Sequence, residues 1–294
     1  MTSAVAVQAR RGADETLVGG EFPFTRADFD RIASLLHADS GIHLPEAKTT
    51  LVYSRLAKRL RALGLASFRD YCELVAGDDG LEERRRMLAA LTTNVTRFFR
   101  EGHHFDHLRE TLLSQAAQRA AAGERVRIWS AGCSTGPEPY SIALTLLSAI
   151  PNAAALDIKI LATDIDPVVI ATARAGEYSD EAVSDIPAAM RRWIERAPSG
   201  SGEWRMNDTV RGLIAFRELN LMAEWPMRGP FQAIFCRNVA IYFEEATQQR
   251  LWTRMRPLLS KDGRLYVGHS ERVSDAGFAT DGLTTYKLNQ GARA

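Results

Sequence analysis

The chain is poor in cysteine, in surplus charge and in long apolar runs, and each shortage removes a class of protein. Three cysteines (Cys72, Cys133 and Cys236) stand far apart in 294 residues. An odd number without metal-ligand spacing gives neither a disulfide framework nor a zinc site, and fits a reduced, cytoplasmic setting. Lys and Arg number 37 against 36 Asp and Glu, a formal net charge of +1. No general affinity for nucleic acid or for an anionic membrane surface is therefore expected. No stretch is long enough to span a bilayer. Arg10-Arg11 precedes an acidic, Gly-rich segment, where a twin-arginine leader needs an apolar run. There is no GxGxxG fingerprint and no Ser–His–Asp constellation. His103, His104 and His107 have no carboxylate–histidine pattern recurring elsewhere, so they read as helix-surface residues and no metal is expected.

What the chain does have is the stretch Val126 to Leu144, VRIWSAGCSTGPEPYSIAL. Val126, Ile128 and Trp129 make a short β-prone run that reads as a buried strand. It ends in the small-residue turn Ala131 to Gly136, and from Pro137 the pattern becomes helical, with proline in the first turn where a missing N–H costs little. Strand, Gly-rich turn and helix open a Rossmann-like βαβ unit, whose turn lets backbone approach a nucleotide. A tight turn using small residues for packing alone would have the same spelling. The next strand, DIKILATD, ends on Asp164, where a carboxylate can accept hydrogen bonds from ribose hydroxyls.

In chain order, residues 1–20 read as a disordered tail. Residues 21–91 read as all helix. Thr25 caps Arg26–Ala38, with Phe29, Ile32, Ala33 and Leu36 at helical spacing. A second helix, Glu46–Leu63, carries Val52, Leu56, Leu60 and Leu63 and ends at Gly64. Ser67 caps a third, Phe68–Ala76, and Leu81–Leu91 is a fourth. Lys48, Arg55 and Arg59 fall on one side of the second helix, bordering its apolar stripe. Such a face is either a solvated surface with snorkelling stems or a docking surface for an acidic partner.

Leu91 to Glu101, LTTNVTRFFRE, links this region to a helix from His103 to Ala121, and its phenylalanine pair suggests a cleft wall or a buried linker. After Asp164 and the helix Pro167–Ala175, an insertion at about residues 178–212 breaks the βαβ rhythm. It reads as a helical piece (Ile186–Ala197), then a strand (Glu203–Asn207) hairpinned with Leu213–Phe216. Asn220-Leu221 follows at a strand end, where a base edge can be read. Phe231–Cys236 is a buried strand running into Arg237-Asn238 and Tyr242. Thr247–Leu259 is helix, Arg264–Gly268 strand, and Thr284–Leu288 a final edge strand.

Together, LTTNVTRFFRE, WSAGCSTGPEPYSIAL, ATDID, IFCRNVAIYF and GHSE resemble the CheR-type chemotaxis receptor methyltransferases, over Phe22 to the C-terminus. The resemblance implies an α/β protein: a small all-α N-terminal domain, then a class I (Rossmann-like) methyltransferase domain over 92–294 with a small inserted β-subdomain. It implies methyl transfer from S-adenosylmethionine, leaving S-adenosylhomocysteine, to glutamates in the cytoplasmic helical region of chemotaxis receptors, by a cytoplasmic monomer. By position, cofactor contacts fall on Asn94, Thr96, Arg100, Glu138, Asp164, Asn220, Leu221, Cys236, Arg237 and Asn238. Tyr242 matches a tyrosine facing the transfer site, Arg100 is a carboxylate clamp, and Lys48, Arg55 and Arg59 sit on a receptor-facing helix. Pro137 departs from the family, which often has an acidic or polar residue there. An NAD-dependent oxidoreductase would share the strand–turn–helix opening but would want GxGxxG and a hydride-transfer acid. A methyltransferase acting on a small molecule or nucleic acid fits the helical region and the neutral charge less well. A cofactor-binding adaptor without turnover is the non-enzymatic alternative.

Overall fold

The computed structural model describes residues 15–198, 203–289 and 291, and the chain divides into two compact units, Met1–Thr93 and Asn94–Ala294. In the first, strand β1 (Thr16–Val18) pairs antiparallel with β2 (Phe24–Thr25). Four helices follow: α1 (Arg26–Ser40), α2 (Thr49–Leu63), α3 (Phe68–Ala76) and α4 (Leu81–Leu91). Thr25 starts α1 as expected, in a reciprocal capping box with Asp28, and Gly41 in the left-handed region ends it at Ser40, two residues beyond the expected Ala38. Val52, Leu56 and Leu60 are buried, with Phe24, Phe29, Ile32, Phe68, Tyr71 and Val75 completing the core, whereas Leu63 is exposed. Of the expected tail, residues 1–14 lie outside the described residues. Glu15 to Val18 is tied down, because β1 pairs with β2 and the Arg26 N–H donates to the Glu15 carbonyl at 2.9 Å.

The second unit opens with α5 (His103–Thr111) and α6 (Leu113–Ala121), two helices where one is expected, parted at Leu112. Then come β3 (Val126–Ala131), α7 (Pro137–Ala149), β4 (Ile158–Asp164) and α8 (Pro167–Ala175). The insertion holds β5 (Glu177–Tyr178), α9 (Asp180–Val183), β6 (Ile194–Arg196), β7 (Trp204–Met206) and α10 (Asp208–Arg211). β8 (Ile214–Glu218), β9 (Phe231–Cys236), α11 (Glu245–Met255), β10 (Leu259–Val267), β11 (Phe278–Gly282) and β12 (Thr285–Leu288) complete it.

One seven-stranded sheet has the order β11-β12-β10-β9-β3-β4-β8. β10, β9, β3, β4 and β8 run parallel, and β12 and β11 add an antiparallel margin. Every residue of β9 is buried, the near-continuous apolar run that a strand covered on both faces requires. α7 is buried from Pro137 to Leu147, so it is a core helix, apolar almost all round rather than along one stripe. The chain steps outward from β3 through β4 to β8, then returns to lay β9 on the other side of β3. That reversal opens a crevice at the carboxyl ends of β3 and β9, where open α/β sheets bind ligands.

Three further expectations for this unit change. Ile214–Glu218 does not hairpin with the insertion but joins the large sheet, parallel to β4. The insertion's own sheet is β5-β7-β6, antiparallel with β7 central, and the expected helix at Ile186–Ala197 is a 3-10 segment (Ala188–Trp193) running into β6. The C-terminal strand is not the edge, because Phe278–Gly282 pairs outside it.

Candidate active site

The Gly-rich turn after β3 is shaped by its neighbours. Gly132 has φ 84° and a Cβ there would strike the Val239 side chain; Gly136 has φ 102° and a Cβ would lie 2.7 Å from the Tyr178 hydroxyl. Both positions therefore need glycine for backbone and for space. Ser134 takes a left-handed φ of 49°. This aims its N–H at Asp164 Oδ2 (2.8 Å), while Asp164 Oδ1 accepts the Asp166 N–H at 3.1 Å. Asp164 is thus held at the end of β4, half-buried, and burial pushes its carboxyl above the usual range against those N–H groups. Asp166 is buried and caps α8 through the Val168 N–H. Asn94 joins the group: its amide donates to Asp166 Oδ2 (3.2 Å) and its carbonyl accepts from the Ser134 hydroxyl (3.0 Å). Leu219 N–H donates to the Asp164 carbonyl (2.8 Å), which starts the segment bearing Asn220 and Leu221 at the end of β4. Thr96 lies half-buried on the segment that Asn94 anchors.

A second group lies behind the turn. Glu138, in the first turn of α7, is buried and accepts from the Ser130 hydroxyl (2.7 Å) and from Arg237 Nη1 (3.1 Å). Burial raises its pKa, and Arg237 and Ser130 only partly offset that. Arg237 also donates to the Arg100 carbonyl and lies 3.4 Å from Glu101 Oε2. Its side chain is 2% exposed, so Arg237 is a buried counter-ion bridging Glu138 and Glu101 rather than a group open to a ligand. Glu101 is partly buried, which opposes its charge, yet Arg237 and the His269 ring and N–H hold its carboxyl below the usual range.

Cys236 is likewise withdrawn: burial within β9 leaves its thiol no exposure and pushes it well above its ordinary pKa, so the thiol is not open to a ligand. Arg100 is about one-third exposed and donates to the Val95 carbonyl at 3.2 Å. Tyr242 is half-buried in a 3-10 turn (Ala240–Tyr242), with its N–H on the Val239 carbonyl. Phe98 is core, edge-on to Tyr178 at 4.9 Å, and Phe99 packs on Phe105.

Two of the three histidines correct the expectation of a helix surface, whereas His103 is exposed as expected. His104 is fully buried, 2.9 Å from the Thr284 hydroxyl, and burial with Arg237 nearby pushes its pKa down to about 3. His107 is partly buried against the Tyr266 hydroxyl. Glu101, His103 and His104 are the group of three among the described residues that could hold a metal ion. The Arg237 guanidinium already on Glu101 opposes a cation there.

The predicted receptor-facing cations belong to the other unit, and two of them serve the fold. Arg59 grips buried Glu83 through two bonds of 2.8 and 2.6 Å, and Arg55 Nη1 closes the end of α4 on the Ala90 and Thr92 carbonyls. Lys48 is half-buried and partnered, and Lys58 on the same helix is exposed. Glu101, His269 and Glu271 are site residues that the sequence did not single out. The GHSE motif was the available signal.

Glu138 and Glu101 thus share the buried cation Arg237, while Asp164 and Asp166 are met by backbone N–H groups and the Asn94 amide, around a glycine-lined crevice. This donor set fits a ligand bearing ammonium and sulfonium charge with a ribose diol. Residues 27–92 match the family model for the CheR methyltransferase all-alpha domain, and residues 94–286 that for the CheR methyltransferase SAM binding domain. A protein of Rhizobium etli named a probable chemotaxis protein methyltransferase is 54% identical over 258 residues, 86% of this chain and 96% of that one. Chemotaxis protein methyltransferase 2 of Pseudomonas aeruginosa is 44% identical over 87% of this chain and 90% of its own length. The chemotaxis protein methyltransferase of Escherichia coli is 41% identical over 90% and 91%. With both units matched in order and the crevice suited to the cofactor, this chain belongs to the CheR family and is an S-adenosylmethionine-dependent chemotaxis methyltransferase.

Proposed function

We propose that the crevice methylates glutamate side chains in the cytoplasmic helical region of chemotaxis receptors, the chain acting as a monomer in the cytoplasm. Residues 21–91 form the receptor-facing domain and 92–294 the methyltransferase domain, with the insertion at about 178–212. S-adenosylmethionine supplies an electrophilic methyl group on a sulfonium. Asp164 holds its ribose hydroxyls, Asn220 and Leu221 meet the adenine, and Glu138 faces its amino group. Asn94, Thr96 and Asn238 line the remaining contacts. The observation that carries this reading is the excess of buried carboxylate over buried cation at the strand ends, a field suited to a cationic ligand.

A glutamate carboxylate is already ionised at neutral pH and needs no general base. Arg100 and Tyr242 therefore act by orientation: one clamps a carboxylate, the other steers the attacking oxygen in line with the methyl carbon. The test is radiolabelled methyl transfer to receptor-bearing membranes. Arg100→Lys is expected not to restore turnover, because an ammonium lacks the planar fork. Tyr242→Phe is expected to lower turnover more than cofactor affinity. Near-normal turnover in both variants would leave these residues as packing only.

A further inference from the structure

We propose that Glu271 is a positioning residue for methyl transfer: its buried carboxylate sets the backbone of residues 238–241 and so aims Asn238 and Tyr242. The inference rests on the reading above that these two residues face the cofactor and the transfer site. The sheet ends at Cys236 on β9 and Val267 on β10, and the N–H groups just beyond have no ladder to join. Four of them converge on Glu271. Oε2 accepts the Asn238 N–H at 2.8 Å and the Gly268 N–H at 2.5 Å. Oε1 accepts Val239 at 3.0 Å and Ile241 at 3.2 Å. The turn makes this possible because Asn238 is left-handed, φ 59°, which folds successive N–H groups toward one point. Such a concave nest of N–H groups ordinarily takes an external anion. Here the chain's own carboxylate fills it.

Two further observations separate positioning from generic burial. Glu271 is 3% exposed, and no Lys or Arg among the described residues forms an ion pair with it, so its charge is met by the turn's N–H groups. A Cβ at Gly268 would lie 2.5 Å from Asn238 Nδ2 and 2.7 Å from Glu271 Oε2, so the close approach requires glycine. Tyr242 hangs from the same segment, its N–H on the Val239 carbonyl at 3.2 Å and Phe243's on Ala240 at 2.9 Å. Moving residues 239–241 moves the tyrosine ring. In GHSE, then, glycine clears the space, glutamate fixes the turn, and His269 reaches across to Glu101.

The test uses the full chain and compares Glu271→Gln, Glu271→Asp and Gly268→Ala with Ile158→Ala, a buried position at the opposite end of β4. Thermal midpoint, S-adenosylhomocysteine affinity, kcat and receptor KM are measured for each. Glu271→Gln is expected to lose about tenfold or more in kcat beyond a destabilised Ile158→Ala, with receptor KM unchanged, since charge-assisted acceptors are lost. Glu271→Asp, which keeps the charge, should recover part of that loss. In combination with Tyr242→Phe the losses should be less than additive, as for groups acting as a unit. If Glu271→Gln does not fold, Glu271→Asp and Gly268→Ala carry the same comparison. A kcat that tracks stability alone, as in Ile158→Ala, overturns the positioning role. Normal kcat and normal affinity in both Asn238→Ala and Tyr242→Phe would instead refute the reading of the site. Depressed values in those two beside normal kcat in Glu271→Gln would overturn this proposal alone.

Discussion

Glu138 shows how a single residue couples burial to ligand charge. Its carboxyl is raised above the ordinary 4.5 chiefly by burial, with Arg237 and Ser130 pulling it back. Between 4.5 and that raised value the folded chain binds more protons than the unfolded one, so this group's contribution to stability falls as pH rises through the window. An ammonium beside the carboxylate favours its ionised form. Ligand binding should therefore release a proton in the window, and affinity for S-adenosylhomocysteine should fall on acidification. Titration calorimetry across pH 5 to 8, in buffers of different ionisation enthalpy, measures both. Glu138→Gln should weaken binding by about tenfold or more, since a hydrogen bond to a charged group is worth about 1.5–3 kcal/mol. It should also flatten the pH dependence in part, the remainder belonging to Asp164, raised by burial in the same direction. An unchanged slope in Glu138→Gln would remove Glu138 from the ammonium. Asp164 was legible from its own place at a strand end, and Glu138 through the family resemblance. Glu101 and Glu271 were not, because their partners lie far along the chain: His269 is 168 residues from Glu101 and Asn238 is 33 from Glu271.

At the scale of elements, legibility followed length and burial. The strand–turn–helix from Val126 could be read because a two-sided parallel strand is a continuous apolar run. β6 and β7 have three residues each, too few for an alternation to emerge, and the pairing of β8 with β4 is set by packing outside the insertion. α2 was read correctly as a helix and incompletely as a surface: its cations share a side, but side alone does not reveal what they touch. Arg59 grips a Glu83 carboxylate that also accepts from the Tyr71 hydroxyl at 3.1 Å. Arg59→Ala would strand that buried charge. Removing one partner of a fully buried pair costs ~3–5 kcal/mol, and with Arg59 partly in water we expect about 2–3 kcal/mol. Arg55→Ala should cost about 1 kcal/mol, the carbonyls at the end of α4 losing their donor. Urea unfolding of the single variants measures both. Wild-type stability with a raised receptor KM would return these arginines to a docking role.

At the scale of the whole molecule, the chain joins two units whose expected duties differ. Every residue assigned to the cofactor, from Asn94 to Asn238, lies in the unit Asn94–Ala294, and none in Met1–Thr93. A ligand stabilises the part that binds it by RT ln(1 + [L]/Kd), about 2.7 kcal/mol at a hundredfold excess over Kd. For a domain of this size each kcal/mol moves the midpoint by about 2–4 °C, so saturation should raise the methyltransferase transition by about 5–11 °C. The helical unit has its own aromatic core around Phe24 and Phe68, 4.4 Å apart between ring centroids, and binds no cofactor on this reading. Scanning calorimetry of the full chain should therefore resolve two transitions, only one of which moves with S-adenosylhomocysteine. The assignment can be checked independently: Arg59→Ala should lower the stationary transition and leave the ligand-dependent one in place. A single transition that both ligand and Arg59→Ala displace would mean that the two units unfold as one, and the helical unit could then not be treated as energetically separate from the chemistry.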